Sequence, residues 1–294
     1  MSSPKIPLVR LSNLFANEQV HAKCEFLAAS GSFKDRGVAH LLGHLSRQAK
    51  TRLLVVPSMG NTALATAAVA KDFGFRMVGV VPENISRAKD EKLQALGAEL
   101  IKIAGGGSDL LRTATEVAGQ RDGYFVHPHL DTLWTDGYQV IAEEILQAVP
   151  ECRSLVFPVG GGGLLMGLTE YLRRHASSVR LFGCEAYNYP TYARFDHQRM
   201  PTIADGLCLE VPHPKVEQRI NEMSIGIHLV SDPDIRTAMA DLYNRHGLVV
   251  EPSSAVTIAF VKNRLAELEQ PIALVLTGAN IARDDFFRLI TEPG

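Results

Sequence analysis

Six short apolar runs constrain this chain more than any other feature; they lie at residues 52–57, 77–81, 99–103, 154–158, 181–185 and 272–276. Between them, residues 62–73, 87–96, 110–118, 138–148, 164–175 and 233–246 carry apolar side chains at helical spacing. Apolar strands alternating with amphipathic helices predict an α/β fold in which parallel sheets are covered by helices on both faces. In open sheets of this kind ligands bind at the carboxyl ends of strands, beside helix N-termini. The turns that directly follow the apolar runs are therefore where chemistry is expected.

Size and charge narrow the partners. The chain has 294 residues with 46% hydrophobic content, enough for a large core and for two lobes. Thirty basic residues against 32 acidic ones give a net charge of -2, and no electrostatic reason to expect nucleic acid or an anionic membrane. No apolar stretch approaches the ~20 residues of a membrane span, and no basic run followed by a small-residue cleavage site opens the chain. The expectation is a soluble, cytoplasmic protein. Cys24, Cys152, Cys184 and Cys208 lie far apart with no C-x-x-C pair, so reduced buried thiols are expected rather than zinc or a redox dithiol. Residues 105–107 are a glycine break that reads as a turn rather than a domain boundary.

Three turns stand out. Ser30-Gly31-Ser32-Phe33-Lys34-Asp35-Arg36-Gly37 precedes a helical pattern, and a lysine held there away from water would be a neutral amine able to attack a carbonyl. A solvated Lys-Asp-Arg at a helix start is the plain alternative. Pro57-Ser58-Met59-Gly60-Asn61-Thr62 follows an apolar run and opens a helix, which suits a carboxylate or phosphate; the alternative is an ordinary helix capped by Asn61 or Thr62. Pro158-Val159-Gly160-Gly161-Gly162-Gly163-Leu164 places four glycines between a buried strand and an apolar helix. Glycine is costly in chain entropy, so the run implies close backbone approach to a ligand, and a phosphate at the helix N-terminus fits. The spacing is neither the dinucleotide fingerprint nor a P-loop. Further on, Glu251-Pro252-Ser253-Ser254-Ala255 precedes a helix, and Thr277-Gly278-Ala279-Asn280 follows the last apolar run. Glu251 reads as a functional acid or a cap-region charge.

In this order the segments resemble the fold-type II pyridoxal-phosphate family, which includes serine/threonine dehydratases, cysteine synthases, threonine synthases and the tryptophan synthase β subunit. The likeness runs from Ile6-Pro7-Leu8 to Asn280-Ile281. It implies two lobes, each an open, mostly parallel sheet covered by helices. Residues 1–37 and 135–294 would form the large cofactor-binding domain, and 38–134 a small domain inserted in it. It implies pyridoxal 5'-phosphate as cofactor, with Lys34 as its Schiff-base lysine and as the carrier of the substrate α-proton. Phe33 would sit beside that lysine, and Asn61 would bond the ring hydroxyl. Gly160, Gly161, Gly162, Gly163 and Leu164 would cradle the phosphate, and Thr277 would face the pyridine nitrogen. Ser58, Met59, Gly60, Asn61 and Thr62 would receive the substrate carboxylate, with Glu251 and Gly278 as further site residues. A small amino acid is the implied substrate, and the family is commonly dimeric.

Within the family, Thr202-Ile203-Ala204-Asp205-Gly206, the E-P-S-S-A segment and the four-glycine turn are similar to dehydratases. Lys34-Asp35-Arg36-Gly37 and Gly60-Asn61-Thr62 lean toward the synthases. The reading is a lyase that eliminates water from a hydroxy amino acid such as L-serine or L-threonine, giving a 2-oxo acid and ammonia. The alternatives are a β-replacement synthase or a silent homologue that only binds a metabolite. Met59 stands where both groups usually carry serine, and a methionine cannot pass the proton that racemisation needs. The chain ends shortly after Ile281, so feedback inhibition by isoleucine through a C-terminal domain is not expected. Asp205 and Glu210 are possible ligands of a structural cation, which the sequence leaves open. His127 and His129 lie near a strand end, and residues 134–137 and 187–195 would shape substrate choice.

Overall fold

The computed structural model describes residues 5–16, 18–48, 51–58, 60–85, 87–127, 131–193 and 198–291. In chain order these residues form β1 (Leu8–Arg10), β2 (Val20–Lys23), α1 (Lys34–Gln48), β3 (Leu53–Pro57), α2 (Asn61–Ala70), β4 (Arg76–Pro82), α3 (Arg87–Ala95) and β5 (Glu99–Ile103). There follow α4 (Gly107–Gln120), β6 (Tyr124–Phe125), α5 (Thr132–Asp136), α6 (Gln139–Ala148), β7 (Ser154–Pro158), α7 (Gly163–Arg174) and β8 (Arg180–Ala186). The chain closes with α8 (Pro214–Glu222), β9 (Gly226–Val230), α9 (Asp232–His246), α10 (Pro252–Arg264), β10 (Ile272–Val275) and α11 (Arg283–Thr291). The fold is α/β, and the chain divides into two compact units. Ala28–Tyr138 belongs to the first, and Pro4–Leu27 with Gln139–Gly294 to the second.

The first unit is built on a four-stranded parallel sheet in the order β5-β4-β3-β6. Side chains alternate faces along a strand. Leu53, Val55, Val78 and Val80 pack on Leu110, Ala114, Val117 and Ala118 of α4. The intervening Leu54 and Val56 are equally buried, and α2 packs on the same two strands, so β3 and β4 are covered twice over. That explains why these strands read as continuous apolar runs rather than alternating ones. The glycine break is indeed a turn inside this unit: Gly105 sits at φ +121, and Asp109 accepts the Gly106 N–H at 3.2 Å as α4 begins.

The second unit carries a six-stranded sheet in the order β1-β2-β10-β7-β8-β9. All its pairings are parallel except β1 with β2. Helix α10, buried along ten consecutive residues from Pro252 to Val261, packs across β7, β8, β9 and β10. Strands β7 and β10 are neighbours, with Leu274 opposite Val156, so the turns that leave them start at the same carboxyl edge.

Candidate active site

Lys34 begins α1. The turn before it is tight: Gly31 has φ +82, Ser30 N–H donates to Asp35 Oδ2 at 2.9 Å, and the Ser30 and Ser32 hydroxyls meet at 3.2 Å. Ser32, Asp35 and Arg36 are buried, so the Lys-Asp-Arg start is no solvated face. The half-buried Lys34 ammonium lies 4.8 Å from the centroid of the Phe33 ring, and that ring packs on Tyr138 at 4.8 Å between centroids. Trp134 Nε1 donates to the Tyr138 hydroxyl, and both rings are fully buried. A Cβ on Gly37 would come within 2.6 Å of Trp134 Nε1, so glycine there lets α1 lie hard against α5. The result is a lysine on a helix end fixed by aromatic packing.

In the same unit, β3 runs fully buried to Pro57, and Ser58 N–H continues its pairing by donating to Val80 O at 3.1 Å. Ser58 Oγ accepts from Gly60 N–H at 3.1 Å and Ala63 N–H at 3.2 Å. The start of α2 is thus capped by Ser58 rather than by Asn61 or Thr62, which occupy its first two helical positions. Thr62 is buried and Asn61 half-buried, and α1 packs against α2. Met59 and His129 lie outside the described residues. Among the described residues, Lys89 Nζ lies 3.7 Å from where a Cβ on Gly60 would stand. Sequence reasoning passed over Lys89 because a Lys-rich surface helix carries no signal of its own.

In the second unit, Gly162 caps α7 at φ +83. A Cβ there would meet Val216 Cγ2 at 2.5 Å, and one on Gly160 would meet Gly206 O at 3.0 Å and Leu207 Cα at 3.2 Å. Two of the four glycines therefore have reasons inside the protein: a left-handed backbone and close packing by other segments. Leu164 is buried beneath the turn.

Three segments far apart in sequence meet around the first turn of α10. Asp232 accepts from the Thr202 hydroxyl at 2.6 Å and from Ile203 N–H at 3.1 Å, fixing the T-I-A-D-G segment. Ser253 Oγ accepts Gly206 N–H at 3.0 Å and so holds the backbone that packs on Gly160. Glu251 N–H donates to Gly278 O at 3.0 Å, and its carboxylate accepts Asn280 N–H at 3.2 Å. A Cβ on Gly278 would overlap Glu251 Oε1. Glu251 sits at the N-cap position yet makes no side-chain cap bond; its carboxylate serves the T-G-A-N turn instead. Thr277, 4% exposed, follows β10 at the sheet edge shared with the glycine turn.

Other charged groups were not legible in advance. Lys23 and Glu25 are 1% and 0% exposed; Lys23 Nζ lies 3.4 Å from Glu25, also bonds Glu144, and donates to Ile6 O at 2.5 Å. Glu185, at the end of β8, accepts N–H groups of Thr191, Tyr192 and Ala193 at 3.1, 2.9 and 3.2 Å, while burial pushes its carboxyl pKa up. Asp205 and Glu210 are exposed, and among the described residues no group of three or more His, Cys, Asp or Glu could hold a metal. The four cysteines are free, and burial pushes Cys24 to about 12 and Cys152 and Cys208 to about 11, which makes them inert thiols.

The donor set suits a phosphate-bearing pyridine aldehyde. In general a left-handed glycine turn at a helix start can receive an anion, a lysine fixed by packing can offer an amine, and a buried hydroxyl at a strand end can meet a ring nitrogen; Gly162, Lys34 and Thr277 are of these kinds.

Comparison with known proteins points the same way. The model of the family described as pyridoxal-phosphate dependent enzyme matches residues 3–278. An L-threonine ammonia-lyase of Thermotoga maritima is 29% identical over 281 residues, spanning 93% of this chain and 70% of that protein. A catabolic L-threonine dehydratase of Staphylococcus aureus is 29% identical over 291 residues, spanning 95% of this chain and 84% of that one. The crystal structure of a fungal L-serine ammonia-lyase from Rhizomucor miehei superposes with a TM-score of 0.89 at 21% identity, covering 99% of both chains.

Proposed function

The chain belongs to the pyridoxal-phosphate-dependent enzymes, and from that premise we propose that it is an ammonia-lyase acting on a small hydroxy amino acid such as L-serine or L-threonine. What carries the reading is the agreement of two relatives, an ammonia-lyase and a dehydratase of threonine, each alike along nearly the whole of this chain.

Pyridoxal phosphate, when bound, supplies the electron sink that makes the proton on the substrate α-carbon removable. We assign Lys34, Phe33, Asn61, Gly160–Gly163, Leu164 and Thr277 to its binding. Lys34 Nζ is the base that takes the α-proton. The β-hydroxyl takes up a proton, balancing the one removed from the α-carbon, and leaves as water; the released enamine then takes up water to give a 2-oxo acid and ammonia. Ser58 Oγ accepts two backbone N–H groups, which leaves its own proton to donate to the substrate carboxylate beside Gly60, Asn61 and Thr62. Thr277 would offer the pyridine nitrogen a neutral hydroxyl rather than a carboxylate, which suits loss of a β-leaving group. Glu251 and Gly278 keep that hydroxyl's turn in shape.

The test is keto-acid release from L-threonine or L-serine with no thiol or amine added. Release supports the lyase; product formed only with a second nucleophile would make the chain a β-replacement synthase. The family resemblance also supports a cytoplasmic homodimer, and among the described residues no helix is long and apolar enough to cross a membrane. Sedimentation equilibrium checks the dimer.

A further inference from the structure

Helix α8 has nine residues and a single buried one, Val216. A helix so short has little stability of its own and depends on what it packs against. Its one buried side chain fills the space that the missing Cβ of Gly162 leaves, 2.5 Å from where that atom would be. One turn further on, Arg219 reaches back to α7, the helix that Gly162 opens. Its Nη1 donates to Thr169 Oγ1 at 2.9 Å, and its Nη2 pairs with Glu170 at 3.4 Å. The Arg219 side chain is 15% exposed, so this is not a loose surface ion pair. The start of α8 is anchored separately: His213 N–H donates to the Tyr192 hydroxyl at 3.3 Å, and Tyr192 N–H is held by Glu185. Helix α8 is thus fastened at both ends, with Val216 between them set against the left-handed glycine.

We propose that Val216 and Arg219 are positioning residues for the anion cradle at the start of α7: by bracing Gly162 from behind they hold the turn in the conformation that receives the cofactor phosphate. The inference rests on the reading of the glycine turn as that cradle. Val216 meets Gly162, and Arg219 meets Thr169 and Glu170 of α7. Both act through the shape of the backbone, so their loss weakens phosphate recognition while leaving recognition of the pyridine ring intact.

The experiment compares binding of pyridoxal phosphate and of pyridoxal, which lacks the phosphate, to the full-length apoprotein, followed by visible absorbance. The variants are Val216→Ala and Arg219→Met, with Arg219→Lys as the conservative control and thermal melting recorded for each. The preference for the phosphorylated form should fall about fivefold to tenfold in Val216→Ala and Arg219→Met, the size of a favourable helix-terminus contribution. Arg219→Lys should keep most of it. A fall in melting temperature with the wild-type preference retained would overturn the proposal and leave a merely structural role. A wild-type protein that binds pyridoxal as tightly as its phosphate would instead overturn the cradle reading on which the proposal stands. Should Val216→Ala fail to fold, Arg219→Met, which removes a partly exposed side chain and leaves the packing at Gly162 in place, carries the same comparison.

Discussion

Lys34 owes its place to residues that do no chemistry. Gly37 admits Trp134, Trp134 bonds Tyr138, and Tyr138 packs on Phe33 beside the lysine. The sequence showed the lysine and its small-residue turn but not this aromatic support, because Trp134 and Tyr138 lie about a hundred positions away and only folding joins them. Gly278 is a similar case: legible as part of a turn, with its reason, the Glu251 carboxylate, visible only in three dimensions. Gly278→Ala should cost about 1–3 kcal/mol by overpacking against that carboxylate, read as a lower midpoint in denaturant unfolding. An unchanged midpoint would mean that the turn can step aside. Position 59 carries a methionine. A thioether neither donates nor usefully accepts the proton that racemisation requires. Chiral chromatography of L-serine incubated with the enzyme should therefore show keto acid and no appreciable D-serine; D-serine at a rate comparable with elimination would contradict the account.

At the scale of elements, what the sequence revealed depended on burial. The six apolar runs correspond to β3, β4, β5, β7, β8 and β10, most of them sandwiched between helices. The strands that escaped notice carry polar residues or lie at an edge. Strand β2 reads Val-His-Ala-Lys, with a buried lysine at its end, and β9, Gly-Ile-His-Leu-Val, is the outermost strand of its sheet. Helix α8 carries only a short apolar stripe, Val216 and Ile220 within nine residues, and Val216 alone among them is buried. The histidines of such elements carry a pH dependence. Burial holds His21, His213, His228 and His246 below the usual imidazole value of 6.5, with Arg10 adding to the effect at His21 and Arg264 at His228. Below pH 6.5 the unfolded chain then binds more protons than the folded one, so stability is full above that pH and falls as the pH drops through the window beneath it. Melting temperature should decline from pH 7.5 to 5.5. His228→Phe should remove part of the decline, because the ring packs with Phe182 and Phe260 at 5.9 and 4.6 Å in an aromatic cluster that a phenylalanine can join. A decline of equal size in the variant would remove His228 from the explanation.

For the larger of the two units, the motifs legible in the sequence are joined by polar contacts that were not. Asp232, Ser253 and Glu251 gather three remote segments at one sheet edge, and Lys23 with Glu25 and Glu144 ties β2 to α6. Pattern reading finds apolar periodicity and glycine turns but has no means of pairing a lysine with a glutamate more than a hundred residues away. Lys23→Met would leave two buried carboxylates without their shared ammonium, and should destabilise the protein by about 3–5 kcal/mol in denaturant unfolding. A loss below about 1 kcal/mol, the range of surface pairs, would show that the cluster contributes little.

The central claim is that this chain does amino-acid chemistry through a cofactor held on Lys34. The holoenzyme, reduced with borohydride and digested, reports on it directly by peptide mass spectrometry. The account expects the pyridoxyl phosphate label on the peptide containing Lys34 and on no other. A protein that takes no label after incubation with pyridoxal phosphate, or that carries it on another lysine such as Lys89, would contradict it.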